Sequence, residues 1–126
     1  MALEKLSVVV PCYNEEETIR LFLTESQLVE SKMKQGVIFD YIFVNDGSTD
    51  KTLEVLRQVS KEFDNVHYLS FSRNFGKEAA LIAGLKAATG DFVTVMDVDL
   101  QDPPELLPEM YQKIQIPCPY NSQARA

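Results

Sequence analysis

The chain has 126 residues, 45% hydrophobic and 25% charged, which suits one domain with its own core and argues against intrinsic disorder. With 19 acidic against 12 basic residues it carries a net charge of −7, and no basic patch offers the long-range attraction that a nucleic-acid binder needs. Cys12 and Cys118 are too few for a disulfide framework, no Cys/His cluster suggests zinc, no apolar run approaches the roughly 20 residues of a membrane span, and the N-terminus lacks a signal-peptide pattern, so this chain reads as a cytoplasmic domain.

Four short, β-branched apolar runs alternate with four longer helical patterns. The first run, Leu6 to Val10, is stopped by Pro11, and a helix follows on the spacing of Ile19, Phe22, Val29 and Met33. Asn14 and Glu17 stand three apart, the spacing of a capping box for that helix. The second run is Tyr41 to Val44, and the next helix carries Leu56, Val59 and Phe63, capped by Ser48 or Thr49 with Asp50 near its positive end. The third run, Val66 to Phe71, precedes an Ala-rich helix from Lys77 to Ala88 with Ile82 and Leu85 as its large apolar residues. The fourth run is Phe92 to Met96, and Asp102-Pro103-Pro104 reads as a cap and proline start for a fourth helix. Gly36 and Gly90 fall where helices end and a positive φ is useful. After Ile114 the pattern fades, and 115–126, with Pro117 and Pro119, reads as an irregular tail. Near-continuous apolar strands alternating with helices predict an α/β architecture: a Rossmann-like, mostly parallel sheet with helices on both faces.

In an open sheet of this kind ligands bind beyond the carboxyl ends of the strands. Four polar clusters gather on that edge: Pro11-Cys12-Tyr13-Asn14-Glu15, Asn45-Asp46-Gly47-Ser48-Thr49-Asp50, Ser72-Arg73-Asn74-Phe75-Gly76-Lys77 and Asp97-Val98-Asp99-Leu100-Gln101-Asp102. Alternation along a strand end points the Asp97 and Asp99 carboxylates the same way; a divalent cation, with Gln101 as a neutral oxygen donor, would relieve their repulsion, the alternative being that they only cap the following turn. A diphosphate completing the shell explains how an acidic domain holds an anion. Asp46 suits hydrogen bonds from a base or ribose, although it also forms the turn Asp46-Gly47-Ser48. Tyr13 offers an aromatic face or simply packs, and Arg73 and Lys77 are cations placed for phosphate oxygens or ordinary solvated surface charges. No P-loop spacing, no GxGxxG after the first strand and a single histidine, His67 inside a strand, exclude the common rival sites. Nothing beside Cys12 marks it as an activated thiolate, so it reads as packing.

These four clusters, in this order, resemble family 2 glycosyltransferases with the GT-A fold, and within them the branch of dolichol-phosphate mannose synthase and bactoprenol (undecaprenyl-phosphate) glucosyltransferases. The resemblance runs from about Leu6 to Ile114 and implies an inverting hexosyl transfer, dependent on Mg²⁺ or Mn²⁺, from a nucleotide-sugar donor such as UDP-glucose to a polyprenyl-phosphate acceptor. Pro11, Tyr13 and Glu15 match positions lining the nucleoside pocket, Val44 and Asp46 match base and ribose contacts, and Asn45 stands where many relatives carry aspartate. Asp97 and Val98 match nucleotide contacts, Asp99 and Gln101 the metal ligands, and Arg73 and Lys77 a donor-side motif; Asp97 and Asp99 are the implied catalytic pair. The family continues with acceptor-side arginines and, in this branch, membrane-associated helices around a cytoplasmic active site. Residues 1–114 are therefore expected to form the donor-binding part of such a domain, truncated before the acceptor half. A catalytically inactive nucleotide-sugar-binding or interaction module is the alternative; a sugar-phosphate nucleotidyltransferase would need a glycine-rich basic loop after the first strand, which Pro11 to Glu15 is not. Homo-oligomerisation is left open.

Overall fold

Runs of β-branched and aromatic residues with few polar interruptions form strands buried on both sides, and in the computed structural model, which describes residues 4–32 and 37–98, they do so in order. The elements are β1 (Glu4–Cys12), α1 (Ile19–Lys32), β2 (Val37–Asn45), α2 (Thr52–Glu62), β3 (Val66–Ser70), α3 (Lys77–Ala87) and β4 (Phe92–Val95). All strand pairs are parallel and the sheet order is β3-β2-β1-β4. The expected fourth helix, the 115–126 tail, Met33 and Gly36 lie outside the described residues.

The register Leu6↔Phe39, Val8↔Tyr41 and Val10↔Phe43 lines up one face of the two central strands. Ile19, Phe22, Leu23 and Val29 of α1 and Leu56 and Val59 of α2 cover that face and join it in one buried cluster. Phe22 makes T-shaped contacts with Tyr41 and Phe43 at centroid distances of 6.4 and 6.0 Å, a favoured aromatic arrangement. Burial pushes the Tyr41 phenol upward in pKa, so it stays protonated and shares a 2.6 Å hydrogen bond with the Ser26 hydroxyl.

The opposite face is covered by α3, and by small residues rather than the large ones expected. Ala80 and Gly84 are buried, whereas Ile82 is 50% exposed. A Cβ at Gly84 would stand 2.3 Å from Cγ1 of Val9 and 3.3 Å from Cγ2 of Val44, so the missing side chain lets the helix axis approach the sheet. Gly90 likewise serves close approach: a Cβ there would meet the Lys5 carbonyl oxygen at 2.6 Å, and its N–H donates to the Ser7 hydroxyl.

Pro11 does not stop β1. The strand continues through it to Cys12, pairing Pro11 with Val44. The carbonyls of Lys5 and Val9 accept N–H groups from Asp91 and Met96, so the odd-numbered residues of β1 turn their amides toward β4. The last β1–β4 pair is Val9↔Val95, which leaves the Pro11 nitrogen facing the sheet beyond the end of β4, where no ladder bond is lost.

Two stability measurements test this packing. Gly84→Ala gains roughly 1 kcal/mol of helix propensity but forces a methyl into Val9, and the net result expected in urea denaturation is a loss of about 1–2 kcal/mol; the same substitution in a Val9→Ala background should lose markedly less. Burial raises the pKa of Glu30 while a hydrogen bond from the Phe39 N–H lowers it less strongly, so the net shift is upward. A raised folded-state pKa contributes stability below the unfolded carboxylate value of about 4.3 and loses it as pH climbs through the folded value. Glu30→Gln, which keeps the acceptor, should therefore flatten the fall in stability above that value and leave the variant more stable than the parent at neutral pH.

Candidate functional site

The sheet order places its switch between β1 and β4: α1 and α2 carry the chain away on one face, and α3 brings it back on the other. A crevice is expected beyond the carboxyl ends at that point. A cavity of about 310 Å³ lies there, lined by Pro11, Cys12, Tyr13, Glu15, Asp46, Lys77, Asp97 and Val98. Seven of the residues singled out in the sequence thus share one hollow. Tyr13 is 47% exposed and free to offer a ring face, whereas Val98 is buried in the core cluster behind it.

Two others stand apart. Val44 is fully buried against the α3 side of the sheet, and Arg73 lies over the Phe75 ring, 4.6 Å from its centroid; neither is among the described residues lining the cavity. Asp99 and Gln101 fall outside the described residues. The alternation argument for Asp97 and Asp99 does not hold, because β4 ends at Val95 and Asp97 lies in the connection past it. Asp97 instead accepts a 3.0 Å hydrogen bond from the Lys77 ammonium, which ties the start of α3 to the end of β4.

Hydrogen bonds that local sequence rules do not foresee hold the loops. Asp46 is buried, and its carboxylate accepts the Phe75 N–H at 2.8 Å, the Gly76 N–H at 3.1 Å and the Asn74 amide at 3.3 Å. It therefore anchors the β3–α3 loop at the positive end of α3, as well as lining the cavity. Gly47, at φ 68°, backs this contact: a Cβ there would sit 2.1 Å from the Arg73 carbonyl carbon. Asn14 does not cap α1. It sits at φ 54°, and its side-chain oxygen accepts the N–H groups of Thr49 and Asp50 at 2.8 and 3.4 Å while its own N–H donates to the Ser48 hydroxyl. Asp50, rather than Ser48 or Thr49, receives the Thr52 N–H that opens α2. Burial opposes its charge, but bonds from Thr52 and the Glu16 N–H outweigh that and depress its pKa. The Thr52 hydroxyl also accepts the Glu15 N–H at 2.9 Å, which fixes Glu15 at the rim.

Cys12 is no nucleophile in this setting. Burial, and then the nearby Glu15 charge, push its pKa far up, and the thiol donates to the Val10 carbonyl. A second hollow of about 300 Å³ lies over the amino half of the sheet and contains Lys5, Asp40, His67 and Thr89. Its polar groups are spent on one another: His67 Nε2 is 2.9 Å from Asp40, and Lys5 donates to Thr89.

The Asp46 anchor is testable. Asp46→Ala leaves two loop N–H groups without their acceptor and should cost roughly 2–4 kcal/mol in urea denaturation; Asp46→Asn, which keeps one acceptor oxygen, should lose clearly less. Equal losses for the two variants would show that the carboxylate's hydrogen bonds do not hold the loop.

Comparison with known proteins bears on the same edge. A prophage bactoprenol glucosyl transferase homolog of Escherichia coli (strain K12) is 45% identical over 111 residues, 88% of this chain and 36% of that protein, so the chain spans about a third of that relative's length. Staphylococcus aureus TarS 1–349, solved in complex with UDP-GlcNAc, superposes with a TM-score of 0.60 at 32% identity, covering 75% of this chain and 26% of that one. The mannosyltransferase PcManGT from Pyrobaculum calidifontis, solved with GDP-Man and Mn²⁺, shares the fold with a TM-score of 0.67 at 24% identity, covering 86% of this chain and 31% of that one. The family model described as glycosyl transferase family 2 matches residues 7–124, and this chain, with its parallel α/β sheet of GT-A type, belongs to that family.

Proposed function

We propose that this chain supplies the donor-binding part, within residues 1–114, of a glycosyltransferase that moves a hexose from a nucleotide-sugar, UDP-glucose in the first instance, to a polyprenyl phosphate. The observation that carries the reading is the cavity at the β1–β4 switch, which gathers an aromatic face, three carboxylates and one ammonium group. The bactoprenol glucosyl transferase name of the Escherichia coli relative supports the acceptor and the sugar, and the UDP-GlcNAc complex of TarS supports a nucleotide-sugar in the cleft. Among the described residues no helix is long and apolar enough to cross a membrane.

Tyr13 would stack on the base, and Glu15 and Asp97 would accept hydrogen bonds from its polar edge and the ribose. Asp46 is already committed to the loop, so its part is to hold Gly76 and Lys77 in place beside the diphosphate. Lys77 would leave Asp97 for the phosphate oxygens. Among the described residues no group of three or more acidic, histidine or cysteine side chains could hold a metal ion. The carboxylate oxygens of Glu15 and Asp97 in the wall suit a hard divalent cation, and the thiol of Cys12 is protonated and already bonded. Asp99 and Gln101 would hold Mg²⁺ or Mn²⁺, which supplies charge neutralisation for the departing diphosphate. An oxygen of the acceptor phosphate attacks the anomeric carbon from the face opposite the leaving group. The bond to the diphosphate breaks with its electron pair going to the nucleotide, and the configuration inverts. A phosphate monoester is anionic at neutral pH, its second pKa being about 6, so no protein base is needed.

Calorimetric titration with UDP-glucose should show binding that requires Mn²⁺, and Asp99→Ala should abolish it with the circular dichroism spectrum unchanged. Metal-independent binding, or a variant as tight as the parent, overturns the metal assignment. Transfer of radiolabelled glucose to undecaprenyl phosphate separates turnover from binding alone.

A further inference from the structure

We propose that Arg73 and Phe75, on the loop between β3 and α3, receive the acceptor itself: the guanidinium takes the lipid phosphate and the ring takes the isoprenoid carbons next to it. The proposal rests on the polyprenyl-phosphate reading above and moves Arg73 from the donor-side role that the family resemblance implies to the acceptor, because Arg73 is not among the described residues lining the donor cavity.

Phe75 is 51% exposed on a loop whose backbone is otherwise tightly held. It makes a T-shaped contact with Phe71 at a centroid distance of 5.5 Å, and the Arg73 guanidinium lies over its ring at 4.6 Å, so a cation and aromatic carbon are presented together. Among the described residues Arg73 has no carboxylate partner, whereas the neighbouring cation Lys77 is paired with Asp97. The pair is also fixed in place: Asp46 holds the Phe75 and Gly76 N–H groups, Asn74 donates to the Asp46 carbonyl, and Gly47 abuts the Arg73 backbone. A preorganised platform loses little freedom on binding.

Arg73 and Phe75 are not among the described residues lining the donor cavity, but Lys77, two residues after Phe75 in the sequence, is. Guanidinium groups engage phosphate oxygens in pairs. An exposed ring alongside calls for hydrocarbon attached to that phosphate, which a free sugar phosphate lacks. General attraction to an anionic bilayer is opposed by the net charge of −7, so recognition has to be local.

The test is co-sedimentation of the chain with phosphatidylcholine vesicles that contain undecaprenyl phosphate, undecaprenol or phosphatidylglycerol. The parent should prefer undecaprenyl phosphate. Arg73→Gln should lower that binding about tenfold, close to 1.4 kcal/mol, without changing binding to undecaprenol, and Arg73→Lys should restore part of it. Phe75→Ser should weaken binding to both polyprenyl lipids yet titrate with UDP-glucose as the parent does. Both side chains are exposed, so neither variant removes core volume. No binding by the parent, equal binding to phosphatidylglycerol, or an Arg73→Gln variant as tight as the parent overturns the proposal. So does loss of UDP-glucose binding in Phe75→Ser, which would give the loop to the donor. Should the parent itself fail to bind UDP-glucose, the donor reading falls while the vesicle comparison still decides the lipid contact.

Discussion

The carboxylate of Asp46 is the point on which the working edge of this protein turns. It is buried, and charge in such a place is tolerable only when hydrogen bonds replace the water it has lost. The N–H groups of Phe75 and Gly76 and the amide of Asn74 provide them. In return, the loop after β3 is brought against the turn after β2, and α3 begins where its first residue reaches the cavity. Asn14 and Asp50 join the turns after β1 and β2 in the same manner, and Lys77 joins α3 to the end of β4. Four strand ends that are far apart in sequence become one continuous rim.

That rim is preorganised by backbone donors rather than by side-chain packing. Hydrogen bonds to ionised groups are stronger than neutral ones and specify geometry. A cleft built this way keeps its shape in water while staying lined with polar groups. Packing does its work one layer below, where Phe22, Tyr41 and Phe43 fill the space between α1 and the sheet.

The sequence announces the strands because runs such as Val8-Val9-Val10 have no alternative to burial on both faces. It announces the site because four polar clusters sit at the matching strand ends, and the cavity gathers residues from all four. What it conceals depends on contacts between distant segments. The capping-box spacing of Asn14 and Glu17 is a local signal, and it loses to an asparagine in a left-handed conformation whose oxygen faces another loop. The buried side of α3 is invisible to a search for large apolar residues, since closeness to the sheet there requires Ala80 and Gly84. The anchoring role of Asp46 has no mark in its own neighbourhood, because its donors lie 28 to 30 positions further on.

The proline in β1 has a consequence for the neighbouring strand. After the Val9 carbonyl has taken the Met96 N–H, the next rung of a parallel ladder would need a donor from position 11, and an imino nitrogen has none. The fourth strand accordingly ends at Val95, two residues before Asp97. An acidic side chain that a longer ladder would have locked into the pleat instead lies past the strand end, where it lines the crevice and meets the Lys77 ammonium, so a single ring closure in one strand bears on where its neighbour delivers charge.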